Sequence, residues 1–182
     1  MSLSPIQMEK VSAVPLWQRW LTPHELVRSK ERAGEIQILN TQLFAEEIST
    51  IYSGKQTKLD HRAALLSLSK VKLSEGRKAL EAGLMRDRDG AVYVGAHAIL
   101  IDQLIGGLVA AAENYVFATK ARFALMAVGG YGRGELAPLS DVDLLFVMPQ
   151  RYNKSDEELV EFILYMLWDL GLVVGHASRT VH

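Results

Sequence analysis

Two short apolar runs, separated by a glycine-rich segment, constrain the fold of this 182-residue chain most strongly. The first run, residues 123–128, leads directly into Gly129 and Gly130, and the second, residues 142–148, is stopped by Pro149. Continuous apolar runs of this length, closed by glycine or proline, are typical of strands buried in a sheet. The sequence therefore predicts a small sheet with a glycine-rich turn at the end of one strand.

Helical patterns precede the first strand. Apolar residues recur at alternating steps of four and three between positions 94 and 115, a spacing that keeps one face of a long helix buried. An earlier helix is predicted from Asp60, as its N-cap, to about residue 82, with Gly83 as its terminator. The charged residues 86–90 are predicted to form a solvated loop between these two helices.

A further helix and a third strand are predicted after the second apolar run. Ser155 and Glu158 have the spacing of a capping box for a helix that ends at Gly171, and residues 172–175 form a short apolar stretch. The predicted fold class is therefore α+β, a mixed α/β core with a short mixed sheet and flanking helices.

The first part of the chain is patterned more weakly. A helix is predicted up to the break at residues 53–54, and Trp17 and Trp20 are predicted to pack onto their own domain rather than to bind a partner. We interpret residues 1–59 as an N-terminal helical arm and residues 60–182 as one domain.

Composition excludes several classes of function. A formal net charge of -1 gives no global attraction to nucleic acid or to an anionic membrane. The absence of cysteine excludes disulfides, thiolate catalysis and cysteine-bound zinc, and it is compatible with a reducing cytoplasm. No uninterrupted apolar run approaches the roughly 20 residues that span a bilayer. We predict a cytoplasmic protein that binds neither nucleic acid nor a membrane.

The segment 129–136 has the composition of a phosphate-binding loop. Glycines such as Gly129 and Gly130 let backbone amides approach a ligand closely, and Arg133 can pair with phosphate oxygens. The spacing matches neither the P-loop nor the dinucleotide fingerprint, so this signal alone is weak.

Two aspartates strengthen the prediction. Asp141 and Asp143 stand two residues apart at the start of the second strand, so alternation should point both carboxylates to one face and Val142 to the other. Convergent carboxylates repel each other unless a cation lies between them, and hard oxygen ligands suit Mg²⁺. The alternative is an ordinary turn or capping aspartate next to Ser140.

These motifs resemble a known family. The pattern of apolar strand, Gly129-Gly130 and Asp141-Val142-Asp143 is similar to that of the nucleotidyltransferase superfamily that includes DNA polymerase beta. More narrowly, the stretches AVGGYGRGELAPLSDVDLLFV and LWDLGLVVGHASRTV resemble those of the bacterial PII-protein uridylyltransferase/uridylyl-removing enzymes. The resemblance covers roughly residues 60 to 182.

The resemblance implies Mg²⁺-dependent transfer of UMP from UTP to a tyrosine of the PII signalling protein in nitrogen regulation, with glutamine as the effector of the full-length enzyme. It implies that Gly129 and Gly130 hold the triphosphate with help from Arg133, and that Asp141 and Asp143 bind Mg²⁺ and are catalytic. Ser140 is expected to brace the loop.

Two features depart from that family. The superfamily uses a third carboxylate on a later strand, and none follows residue 172; Asp169, at a helix end, is a poor substitute. The hydrolase and glutamine-sensing domains of the family are also missing, so we expect the N-terminal part of a longer enzyme, with its transferase domain incomplete. His97, His176 and His182 are predicted to be structural or incidental.

Two alternatives stay open. Nothing in the loop or in the aspartate pair reads the base, so adenylyl transfer to a protein or small-molecule acceptor by an enzyme of the same superfamily is one alternative. A site short of its third carboxylate also fits a regulatory module that binds nucleotide without turnover.

Overall fold

The computed structural model describes residues 38–181, apart from residue 56. In chain order the elements are helix α1 (Thr41–Ser53), helix α2 (Lys58–Asp87), helix α3 (Gly90–Ala111), a π-helical turn (Ala112–Val116), strand β1 (Ala124–Ala127), the one-turn helix α4 (Gly129–Gly132), strand β2 (Val142–Met148), helix α5 (Lys154–Asp169) and strand β3 (Val174–Thr180). The predicted mixed α/β fold is confirmed. Trp17 and Trp20 lie outside the described residues.

The sheet of the described region has the order β1-β2-β3. Strand β1 runs antiparallel to β2, and β3 runs parallel to β2. The predicted short mixed sheet is therefore present, and β2 is its central strand. Strand β3 begins later and runs further than the predicted residues 172–175, because its pairing with β2 continues along the whole of that strand.

Strand β2 has one face in the core and one face that is only half covered. Its buried positions alternate with partly buried ones along the strand. The buried side chains are Val142, Leu144, Phe146 and Met148. This alternation places Asp143 on the less covered face of β2. Asp143 lies near the start of β2, beside the end of β1.

The prediction of a buried first strand is wrong for β1. Only Leu125 of its four residues is buried, and the Met126 side chain is 46% exposed. Strand β1 lies at the edge of the described sheet and packs one face only, a placement that a run of apolar residues does not reveal.

Helix α3 is the centre of the core, as its periodicity predicted. Asp89 caps its start by accepting hydrogen bonds from the backbone N–H groups of Ala91 and Val92. By length and composition the helical stretch Gly90–Val116 could cross a membrane, contrary to our expectation from the sequence, but most of it is buried inside the fold. Its apolar character is accounted for by core packing.

Helix α2 is longer than predicted at both ends. Thr57, and not Asp60, is its N-cap: the Thr57 hydroxyl accepts from the Asp60 N–H, and the Asp60 carboxylate accepts from the Thr57 N–H. Gly83 lies inside the helix, which ends at Arg88 in the left-handed region with φ 54°. An internal glycine costs only about 1 kcal/mol relative to alanine, and packing against α3 outweighs that cost.

Helix α5 also starts at a residue that the sequence did not single out. Asn153 is the N-cap and Asp156 its capping-box partner, so the predicted pair of Ser155 and Glu158 is wrong. Asp156 is buried and also binds the Arg122 guanidinium at 2.7 Å, which ties the start of α5 to the chain before β1. Gly171, with φ 77°, follows the end of the helix as predicted.

Helix α1 packs on the same core. Phe44 and Ile48 are buried, and the Phe44 ring occupies the space that a side chain at Gly107 of α3 would need. The predicted helix before residues 53–54 is confirmed, and the division of the chain at residues 59/60 stays a prediction.

Candidate functional site

The glycine-rich loop leaves β1 through a tight turn. Val128 extends the pairing with β2 by donating its N–H to the Asp143 carbonyl oxygen at 3.0 Å, and the chain then enters α4. Gly129 has φ 62°, in the left-handed region that glycine adopts most easily. A Cβ at Gly132 would lie 2.5 Å from the Ala127 carbonyl oxygen, so this turn also requires glycine.

The Asp143 carboxylate lies between two glycines. A Cβ at Gly129 would be 2.6 Å from Asp143 Oδ2, and a Cβ at Gly175 would overlap Asp143 Oδ1. Gly175 is the residue opposite Asp143 in the parallel pairing of β2 with β3. Because neither glycine has a side chain, there is room for the Asp143 carboxylate where the loop meets the two strands. Gly175 was not predicted as a site residue, because its position beside Asp143 depends on the register of β3.

Asp141 lies one residue before β2 and is exposed, as is Ser140. The Ser140 N–H donates to the Ala137 carbonyl oxygen at 3.2 Å in a turn, and the bracing role of its side chain stays a prediction. Val142, between the two aspartates, is 2% exposed. The expected separation of Val142 from its acidic neighbours is therefore present.

Arg133 braces the loop in this structure. Its Nε donates to Glu135 Oε2 at 2.9 Å and its guanidinium donates to the Gly129 carbonyl oxygen at 3.0 Å. The side chain is 61% exposed, so the ion pair is screened by solvent and its partner is readily exchanged. Gly130 lies beside it and accepts the Glu135 N–H on its carbonyl oxygen.

Two side chains of α3, Asp102 and His97, make hydrogen bonds to the loop. Neither was predicted from the sequence to be part of the site. Asp102 accepts a hydrogen bond from the Tyr131 hydroxyl at 2.5 Å, and burial together with this carboxylate raises the pKa of Tyr131 well above its usual value. His97 contacts the Leu136 carbonyl oxygen through Nδ1 at 3.1 Å. Burial lowers the pKa of His97, although the bond to Leu136 opposes the shift. The structural role predicted for His97 is confirmed.

The carboxylates of Asp141 and Asp143 have the right chemistry for a divalent cation, but they are only two ligands. Asp141 and Asp143 would supply hard oxygen ligands to a bound Mg²⁺, and phosphate or water would complete its shell. Within the described residues, no group of three or more histidine, aspartate or glutamate side chains could hold a metal. Asp169 is engaged elsewhere, with Arg62 at 2.6 Å, and His176 packs on Trp168.

Comparison with known families defines the class of the domain. Residues 116–176 match the family described as "Nucleotidyltransferase domain". The matched range contains the glycine loop, both aspartates and Gly175. The chain therefore carries a nucleotidyltransferase domain over these residues.

Individual relatives identify the group of nucleotidyltransferases that this chain resembles. The chain is 42% identical over 160 residues to the "Bifunctional uridylyltransferase/uridylyl-removing enzyme" of Rhodopseudomonas palustris, a match that covers 84% of this chain and 17% of the relative. Proteins of the same name from Azospirillum brasilense and Rhodospirillum rubrum are 38% and 39% identical, over 79% and 67% of this chain and 16% and 14% of their own lengths. The chain thus spans less than a fifth of these relatives. No solved structure matches it. The resemblance to this group of enzymes is confirmed.

Proposed function

We propose that this chain is the nucleotide-binding part of a Mg²⁺-dependent uridylyltransferase that transfers UMP from UTP to a tyrosine of the PII signalling protein. The observation that carries the proposal is the position of the Asp143 carboxylate, which lies against Gly129 of the loop and Gly175 of β3. A carboxylate at the edge of a glycine-rich loop places a cation ligand beside backbone amides that suit phosphate.

Each residue of the site then has a defined task. Gly129 and Gly130 bring backbone amides close to the triphosphate, and Arg133 exchanges its pairing with Glu135 for phosphate oxygens. Asp141 and Asp143 hold Mg²⁺, which when bound neutralises negative charge on the phosphates and on the leaving pyrophosphate.

The reaction needs positioning more than covalent chemistry. The tyrosine oxygen forms a bond to the α-phosphorus of UTP while the bond from that phosphorus to the bridging oxygen of pyrophosphate breaks, and the hydroxyl proton is released. The loop contributes by fixing the triphosphate so that the attacking and leaving oxygens are in line. Regulation by glutamine and uridylyl removal belong, in this proposal, to the complete cytoplasmic enzyme.

A second candidate is a module that binds nucleotide without turnover. The observation in its favour is that no group of three carboxylate or histidine side chains that could hold a metal lies among the described residues. It shares the binding site with the first candidate and differs only in product formation.

Transfer can be measured directly. The complete enzyme that contains this chain is incubated with PII protein, Mg²⁺ and either UTP or ATP, and the intact mass of PII is followed with time. We expect a uridylylated product from UTP, and a rate at least ~10²-fold lower for Asp143→Asn, in keeping with the loss of a principal electrostatic stabiliser. Asp169→Asn is the matched control, because it makes the same chemical change in an aspartate that pairs with Arg62 outside the site.

The outcomes separate the candidates. Adenylylated product from ATP would indicate the adenylyltransferase alternative. Nucleotide binding without any product would favour the binding module. An unchanged rate in Asp143→Asn would contradict the assignment of the metal site.

A further inference from the structure

We propose that helix α3 positions the nucleotide loop, with Asp102 and His97 holding the two ends of residues 131–136 in the conformation that binds phosphate. This inference rests on the proposed function for its ligand, but the anchoring itself can be measured without one. Asp102 and His97 act through the loop and are positioning residues, since their contacts are with Tyr131 and Leu136.

The first anchor is the short hydrogen bond from the Tyr131 hydroxyl to Asp102. The Tyr131 side chain is 4% exposed, and it lines the same small internal space as Ile105 of α3 and Leu144 of β2. A hydroxyl that donates to a carboxylate at 2.5 Å forms one of the stronger hydrogen bonds in proteins, particularly where water is excluded. The start of the loop is therefore fixed to α3 by both packing and charge.

The second anchor is the contact between His97 and Leu136. A carbonyl oxygen can only accept, so the proton is on Nδ1 of His97, which donates to the Leu136 oxygen at 3.1 Å. His97 is 4% exposed and Leu136 is 1% exposed. The end of the loop is therefore also tied to α3 within the core.

The segment between the anchors contains residues that are costly to order. It contains Gly132 and Gly134, the latter with φ 73°, and glycine loses more conformational freedom on ordering than any other residue. Its internal bonds include the donation from the Gly134 N–H to the Tyr131 carbonyl oxygen at 2.9 Å. A loop already ordered by its anchors need not lose that freedom when it binds, so the anchors should increase affinity for phosphate.

The test uses Tyr131→Phe and Asp102→Ala, which remove the first anchor, and Asp102→Asn, which keeps an oxygen acceptor for the Tyr131 hydroxyl. Amide hydrogen exchange of residues 130–135 and the dissociation constant of Mg²⁺–UTP are measured on the 182-residue chain. We expect the first two variants to exchange these amides about tenfold faster and to bind about tenfold more weakly, the effect of losing one charge-assisted hydrogen bond. Asp102→Asn should restore both quantities to within about threefold of the wild type.

Arg122→Gln is the control for a purely structural effect. It disrupts the ion pair between Arg122 and the buried Asp156 at the start of α5, away from the loop. It should lower the melting temperature while leaving loop exchange and the dissociation constant unchanged. If Tyr131→Phe fails to fold, His97→Leu removes the other anchor and is judged by the same two measurements.

Each result decides one claim. Unchanged loop exchange in Tyr131→Phe would overturn the anchoring, and faster exchange with unchanged affinity would overturn the positioning role. A wild-type chain that binds no UTP would contradict the proposed function, and the exchange measurements alone would then support or overturn the anchoring.

Discussion

Gly175→Ala tests the geometry of the site with a single methyl group. The new Cβ would overlap Asp143 Oδ1, and Asp143 is the neighbour it meets within 4 Å. The backbone at Gly175 is not in the left-handed region, so alanine itself is tolerated there. The carboxylate must therefore turn away from the position that the two glycines leave open for it.

The expected effects on stability and on binding follow from the displacement of the Asp143 carboxylate. Turning one side chain about 30° away from its preferred rotamer costs about 0.5–1.5 kcal/mol, so the free energy of unfolding should fall by no more than that. Binding should suffer more, because a ligand group displaced by about 1 Å can reduce a catalytic or binding function by up to about 10²-fold. We expect the dissociation constant of Mg²⁺–UTP to rise at least ~10-fold.

The assay combines calorimetric titration with urea unfolding of the same preparation. Gly90→Ala is the matched control, since a Cβ there meets nothing within 4 Å and the residue begins α3. It should leave binding unchanged and stability equal or higher by up to about 1 kcal/mol. Unaltered nucleotide binding in Gly175→Ala would refute the reasoning, because Asp143 would then not need the position in which the structure places it.

Three further changes have defined outcomes. Gly132→Ala should destabilise the chain by about 1–3 kcal/mol in urea unfolding, because the new Cβ meets the backbone oxygen of Ala127, which cannot turn aside; a stability equal to wild type would contradict the turn geometry. The hydrogen bond from Arg122 lowers the pKa of Asp156 below 3.8, so Asp156 contributes stability above that pH and loses it as the pH falls through the folded-state pKa. Asp156→Asn should thus be less stable than wild type at neutral pH, with the difference shrinking below pH 3.8 in thermal unfolding scans; a constant difference would refute this. Arg133→Ala should weaken triphosphate binding with little change in the rate of transfer, and normal UTP binding would leave Arg133 as a brace for the loop only.

Periodicity predicted the central parts of the fold well. The apolar pattern over residues 94–115 identified α3, and the run 142–148 gave β2 with its observed bounds. Both signals arise from burial along one element, which a sequence records directly.

The ends of the helices were predicted less well. Several Thr, Asn, Ser and Asp residues near each start have similar capping tendencies, and only the backbone conformation shows that Thr57 and Asn153 are the caps. The exposed face of β1 depends on its place at the edge of the described sheet, which its own residues do not record.

The site was predictable only as far as its local motifs extend. The glycine loop and Asp143 are brought together as the motif indicated. Gly175 and Asp102 lie far from those motifs along the chain and reach the site through strand register and helix packing. Contacts of that kind follow from the tertiary fold and leave no local pattern.

The most direct test of the account is calorimetric titration of the chain with UTP and with ATP, each with and without Mg²⁺, for the wild type and for Asp143→Asn. The account predicts binding that requires Mg²⁺, prefers UTP and is lost in the variant. Binding that is independent of Mg²⁺, or that survives unchanged in Asp143→Asn, would contradict a nucleotide site built on this carboxylate.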